Sequence, residues 1–157
     1  MRTGMMSSLF QRVVHFFRFG RLPDEVKTQL ESEGGMLFLA EGVAMTSILT
    51  DFKAPGVRCS YRRMTIIGFL ALSEQRIVIR AKCWHKIDVN TAFDDPRFKT
   101  IAFNSTEKYL SLRFDPSGFI PDASGQVEIR VHVPNVSRAA KILEGKGACM
   151  APENVGS

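Results

Sequence analysis

The sequence has few cysteines and no long apolar run. Cys59, Cys83 and Cys149 form no paired motif, which argues against a disulfide-stapled framework and fits reduced thiols in the cytoplasm. The longest apolar stretches, residues 9–19 and 36–40, contain or adjoin polar residues well short of the roughly 20 residues that a membrane-spanning helix needs. The 157 residues, 45% of them apolar, are enough for one domain with a single core.

Motifs for catalysis, metal binding or nucleic-acid binding are also missing from the sequence. No serine stands in a G-x-S-x-G motif, and Cys83 and His85 have no second pair at metal-ligand spacing. Asp94 and Asp95 precede Pro96, where turn formation explains them. Aromatic residues do not alternate with basic ones as on an RNA-stacking sheet. We therefore expect a non-catalytic protein without cofactor or metal, and no nucleic-acid partner.

The charge is unevenly distributed along the chain. Residues 1–23 contain four arginines and no acid, and residues 24–52 contain one lysine and six acids. Residues 53–86 contain eight basic residues and a single acid. Such a basic segment attracts anionic partners. The candidate anion- or lipid-binding residues in it are Lys53, Arg58, Arg62, Arg63, Arg76, Arg80 and Lys82.

Residues 65–82 predict the central β-hairpin of the fold. Apolar residues alternate along 65–72 and again along 76–82, with a short polar connector between them. This period of two is typical of half-buried strands and sets the register. The expected core-side pairs are Leu72 with Ile77, Leu70 with Ile79, and Gly68 with Ala81.

The flanking sequence predicts further strands and two helices. A first strand covers residues 36–51 and bends near Gly42, and Pro55-Gly56 lies in the link that follows, residues 52–60. Asn135 begins an amphipathic helix that ends near Gly145. The other predicted elements are a helix at 22–33, a strand at 84–93, a hairpin of 98–103 with 108–114, and a strand at 126–133.

About seven strands followed by one helix predict a mainly β barrel or sandwich, closed by the C-terminal helix. The expected organisation is an amphipathic helix at 1–20, a linking helix at 21–35, the β domain at 36–147 and a disordered tail at 148–157.

The N-terminal segment is strongly amphipathic and contains no acid. It is interpreted as a packed structural helix, an interfacial membrane helix or a cleavable targeting peptide. On the predicted hairpin, Ile67 and Phe69 are too apolar for an open solvent face, so the N-terminal helix or a partner helix is expected to dock there. The membrane-binding or helix-docking candidates are Phe10, Arg12, Phe16, Phe17, Arg18, Ile67 and Phe69.

The central hairpin resembles the second hairpin of PH-like domains of the GRAM and bacterial PH type. The resemblance is carried by Gly68, Leu70, Leu72, Ser73, Arg76, Ile77 and Val78. It implies a seven-stranded PH-like fold with a capping C-terminal helix, and a role in peptide binding, lipid binding or assembly.

Three functions are compatible with these patterns. The first is a cytoplasmic adaptor peripherally attached to anionic membranes through the N-terminal helix and the basic segment. The second is a protein-interaction or self-assembly domain in which that helix is buried, which leaves an oligomer open. The third is a small-ligand carrier or an enzyme that uses the barrel interior.

Overall fold

The computed structural model describes residues 21–82 and 86–150, and the side chains of these residues except 82, 86 and 87. Within this part lie eight strands, three helices and one 3-10 turn. The strands are β1 (Met36–Ala54), β2 (Val57–Ser73), β3 (Arg76–Lys82), β4 (Lys86–Ala92), β5 (Ala102–Ser105), β6 (Leu110–Phe114), β7 (Ser124–Val131) and β8 (Cys149–Met150). The helices are α1 (Asp24–Ser32), α2 (Pro96–Lys99) and α3 (Val136–Gly145), and the 3-10 turn is Pro116–Gly118.

The strands form one sheet in the order β4-β3-β2-β1-β7-β6-β5-β8, curled into a half-barrel. Two antiparallel meanders, β1 to β4 and β5 to β7, join where β7 pairs with β1. The prediction of a mainly β fold is therefore confirmed, with eight strands in place of seven. The additional strand, β8, pairs in parallel with β5. It lies inside the segment predicted to be a disordered tail, so that prediction is wrong for Cys149 and Met150.

The predicted central hairpin is confirmed in its register. β2 and β3 pair through Leu72 with Ile77, Leu70 with Ile79, and Gly68 with Ala81. At Gly68 an added Cβ would lie 2.3 Å from the carbonyl oxygen of Arg80 on β3. Glycine is therefore required here by a close backbone contact.

β1 is longer than predicted and contains the expected bend. Its register against β2 shifts between Ala40 and Val43, which inserts one extra residue beside Gly42. Beyond the predicted end at residue 51, β1 continues to Ala54 and turns directly into β2 at Val57. The predicted link at 52–60 is wrong for that reason, because only Pro55 and Gly56 form a turn.

The main apolar core lies between the sheet and α3. Val136, Ala139 and Leu143 of α3 pack into it, as the predicted helix requires. One predicted strand segment is wrong: Phe98 lies in the short helix α2, and β5 starts only at Ala102. Proline at the start of α2 and the capping carboxylate before it explain the helical turn.

A second apolar cluster lies on the opposite face of β2 and β3. Helix α1, which confirms the predicted helix at 22–33 with slightly narrower bounds, covers this face. The cluster consists of Leu22, Val26 and Leu30 against Phe69, Ala71 and Val78, with Met36 packed beside it.

Candidate binding surface

The predicted cationic residues divide between two regions of the structure. Arg76 and Arg80 lie on β3, beside helix α1. Four others lie on the far end of the β1–β2 hairpin: Lys53, Arg58, Arg62 and Arg63. Lys82 ends β3, and its side chain is outside the described residues. The basic segment is therefore not one continuous surface.

Arg76 connects the sheet to helix α1. Its Nε donates to Glu33 Oε2 at 2.6 Å, and its Nη1 donates to Asn90 Oδ1 at 2.8 Å. Both partner side chains belong to the fold itself, and the Arg76 and Glu33 side chains are each 21% exposed. Arg76 therefore fixes the end of α1 to β3 and β4.

Arg80 is likewise engaged inside the fold. Its Nη2 lies 3.2 Å from Asp88 Oδ2 on the neighbouring strand β4. Its guanidinium also lies 5.9 Å from the centre of the Phe69 ring, which the pairing of β2 with β3 places beside it. Because their charges are matched by Glu33 and Asp88, Arg76 and Arg80 are not included in the candidate surface.

The remaining cations lie on a segment that we call the cationic arm, residues 50–63. Its turn is Pro55-Gly56, and Lys53 pairs directly across from Arg58. On the β1 side the arm is supported by β7 as far as Lys53. On the β2 side, pairing with β3 covers only Gly68 to Leu72. The arm therefore extends past the end of β3.

The cations of the arm are exposed and largely without acidic neighbours. All four of them are exposed, and Asp51 is the one acid in the segment. In the described part of the chain, no acidic side chain forms a salt bridge with Lys53, Arg58 or Arg63. The charges of Lys53, Arg58 and Arg63 therefore produce a positive potential that attracts anions.

Apolar residues anchor the arm to the fold beneath these charges. Phe52 is buried in the main core, and Ala54, Val57 and Cys59 pack against the same cluster. Tyr61, in contrast, is 62% exposed and lies opposite Thr50. The apolar residues thus pack the arm against the core, and its cations and the Tyr61 ring remain exposed.

Glu128, an acid on the adjoining strand β7, is occupied by neighbours outside the arm. Glu128 on β7 is separated from Arg63 by Ile48, which pairs with both residues. Its Oε1 accepts a hydrogen bond from Ser111 at 3.0 Å and lies 3.4 Å from both Arg113 and Arg130. The charge of Glu128 is therefore satisfied within β6 and β7.

The surface predicted to receive the N-terminal helix is already occupied at Phe69. This side chain is 1% exposed, because α1 packs over it. The prediction that the N-terminal helix or a partner helix covers Phe69 is therefore corrected: α1 covers it. Ile67 lies outside this cluster and remains half-buried. The other docking candidates, Phe10, Arg12, Phe16, Phe17 and Arg18, lie outside the described residues.

Asp95, one of the two turn acids considered for acid–base chemistry, has a structural role. Its Oδ1 accepts the backbone N–H of Arg97 at 2.9 Å and caps α2. The pKa of Asp95 is lowered, first by the hydrogen bond from the Arg97 side chain and then by that backbone N–H. A carboxylate held ionised in this way stabilises a helix terminus and is poorly suited to donate a proton.

The described residues also offer little for metal chemistry. No group of three or more His, Cys, Asp or Glu side chains comes together in this part of the chain. Cys83 and His85, the pair considered from the sequence, lie outside the described residues. None of the helices within residues 21–82 and 86–150 is long and apolar enough to cross a membrane.

Sequence reasoning identified the cations of the arm but missed the open edge that carries three of them. No pattern in the sequence marks the residue at which the pairing of β2 with β3 ends, which is Gly68 in the structure. The chain matches no family model and no curated protein in comparison with known proteins.

Proposed function

We propose that this protein is a non-catalytic binding module that docks on an acidic region of a partner protein through its cationic arm. The observation that carries the proposal is the exposure of Lys53, Arg58 and Arg63 with no acid bonded to them among the described residues. Complementary charge of this kind accelerates encounter and selects partners.

The proposal includes a PH-like identity for the β domain. It is supported by the succession of a four-strand meander, a three-strand meander and a C-terminal helix. It is also supported by the hairpin residues that carry the resemblance. The added strand β8 departs from the seven-stranded pattern. PH-like domains of this type serve as platforms for peptides, lipids or assembly, so a binding role agrees with the resemblance.

The composition of the arm favours a protein partner over a bilayer. Its turn consists of Ala54, Pro55, Gly56 and Val57, which are too small to insert deeply among acyl chains. The large apolar side chains that membrane attachment requires were predicted at residues 9–19, outside the described residues. In the arm, Tyr61 is the one exposed large hydrophobic side chain.

The test uses a fluorescent oligo-glutamate peptide and the full chain at low and moderate salt. Replacing both Arg58 and Arg63 by glutamine should weaken binding about tenfold, since two exposed charge contacts are lost. The matched control replaces Lys99 and Lys108 by glutamine, which makes the same change in net charge away from the arm. Binding should be measured by fluorescence anisotropy.

Two outcomes would overturn the proposal. Equal affinities of the full chain and the Arg58→Gln/Arg63→Gln variant would show that the arm is not the binding surface. Flotation on phosphatidylserine vesicles that requires the arm, without peptide binding, would replace the protein partner by an anionic membrane.

A further inference from the structure

We infer that the open edge of β2 in the arm binds an extended acidic segment of the partner as an additional strand of the sheet. This inference rests on the proposed function and names how the arm would hold its partner. It depends on the backbone of β2 as well as on the side chains of the arm.

The edge arises because β2 is much longer than β3. β2 begins at Val57, but its pairing with β3 begins only at Gly68. Residues 57–67 therefore pair with β1 on one side, and no described strand pairs with them on the other. Eleven strand residues span roughly 35 Å, which is ample for a five- or six-residue strand to pair with.

The pairing of β2 with β3 ends at Gly68. The close contact there, 2.3 Å between an added Cβ and Arg80 O, marks the last paired position of the hairpin. β3 then continues only to Lys82, where it pairs with Lys86 of β4. Among the described strands, β3 and β4 therefore give residues 57–67 of β2 no second neighbour.

The charge of the edge determines the chemistry of the added strand. Arg58, Arg62 and Arg63 lie along it, and the segment 57–67 contains no acid. A second copy paired through the same edge would bring these arginines together, which disfavours self-association there. Residues 1–20 also contain arginines and no acid, so they are equally unsuited. An acidic segment from another protein fits.

The distribution of side chains also predicts the pattern of acids in that segment. Val57, Cys59 and Met64 pack against the main core, so the adjoining Arg58 and Arg63 both face away from it. Cations on one face of the edge require acids on the same face of the added strand. Acids at every second residue of that strand therefore meet this requirement, and a continuous acidic run contains them.

Basic side chains on an edge strand also protect sheets from aggregation, and the experiment must separate that role from binding. Two oligo-glutamate peptides of equal length and charge serve as probes, one unmodified and one N-methylated at every second residue. N-methylation removes the amide hydrogens along one edge of the peptide and leaves the charge unchanged. Binding to the full chain and amide hydrogen exchange of residues 57–67 are measured with each peptide.

If β2 accepts a strand, the unmodified peptide should bind at least about tenfold more tightly than the methylated one. It should also slow exchange of the amides in residues 57–67. Equal binding of both peptides, without protection of these amides, would overturn strand addition and leave the charge-based proposal standing. Failure of both peptides to bind would overturn both proposals.

Discussion

The two halves of strand β2 have opposite environments. From Gly68 to Leu72 the strand has a neighbour on each side, and every residue is buried. From Val57 to Thr65 it pairs with β1 alone among the described residues, and most of its side chains are exposed. One continuous strand thus contributes to stability at one end and, in our proposal, to binding at the other.

The arginines of the two regions differ in the same way. Arg76 and Arg80, beside the buried half, each contact an acid from another element. Lys53 and Arg58, beside the exposed half, face each other across the hairpin. Paired charges hold the fold together, whereas unpaired ones cost a little stability and leave a field that acts on other molecules.

The largest effect expected from this comparison is on stability, and it comes from the aromatic residues of β2. Phe69→Ala should destabilise the protein by about 3–5 kcal/mol, because it removes a ring that is 1% exposed beneath α1. Tyr61→Ala, its control on the same strand, should change stability by less than about 0.5 kcal/mol, since Tyr61 is 62% exposed. Urea unfolding followed by circular dichroism measures both. Similar losses in the two variants would contradict the division of the strand.

A smaller effect is expected from the ion pair that connects α1 to the sheet. Glu33→Gln and Arg76→Gln should each cost about 1–2 kcal/mol, because the pair is only partly exposed and Arg76 has a second partner in Asn90. A double-mutant cycle on the urea unfolding free energies isolates the coupling between the two residues. A coupling energy of zero would show that the contact does not fix α1.

The parts of the fold that follow from strand alternation were predictable from the sequence. Apolar residues at Leu70, Leu72, Ile77 and Ile79 allow only one register, since a slip of one residue would move them all out of the core. The end of β3 was not predictable, because the length over which two strands pair depends on how the sheet curls. The open edge of the arm therefore became visible only in the structure.

The contacts across α1 also escaped prediction, for two physical reasons. The apolar segment at residues 9–19 is the most apolar in the sequence, yet helix α1 packs over Phe69. Leu22, just before α1, and Val26 and Leu30 within it are spaced four apart and cover Phe69, because the chain enters β1 shortly after that helix. Arg76 pairs with Glu33, which is 43 residues away in the sequence. The distribution of charge along the sequence therefore does not distinguish Arg76 from the cations of the arm.

The smallest expected change in stability comes from a substitution near the turn of the arm. The same substitution is expected to cause a large change in peptide affinity. Arg58→Glu places an acid directly across from Lys53 and turns a repulsive cross-strand pair into an attractive one. The variant should be more stable than the unmodified chain by about 0.2–1 kcal/mol. Its affinity for the oligo-glutamate peptide should nevertheless fall more than that of any neutral variant.

The control for this variant is Lys108→Glu, which changes the net charge equally on the turn between β5 and β6. It should leave peptide binding nearly unchanged, because at moderate salt charges that far from the arm are screened. A loss of stability in Arg58→Glu would indicate that Arg58 supports the fold, as Arg76 does. Partial unfolding would lower both the stability and the peptide affinity of the variant. A variant with higher stability and lower affinity therefore cannot be explained by partial unfolding, and it would distinguish the binding half of β2 from its structural half.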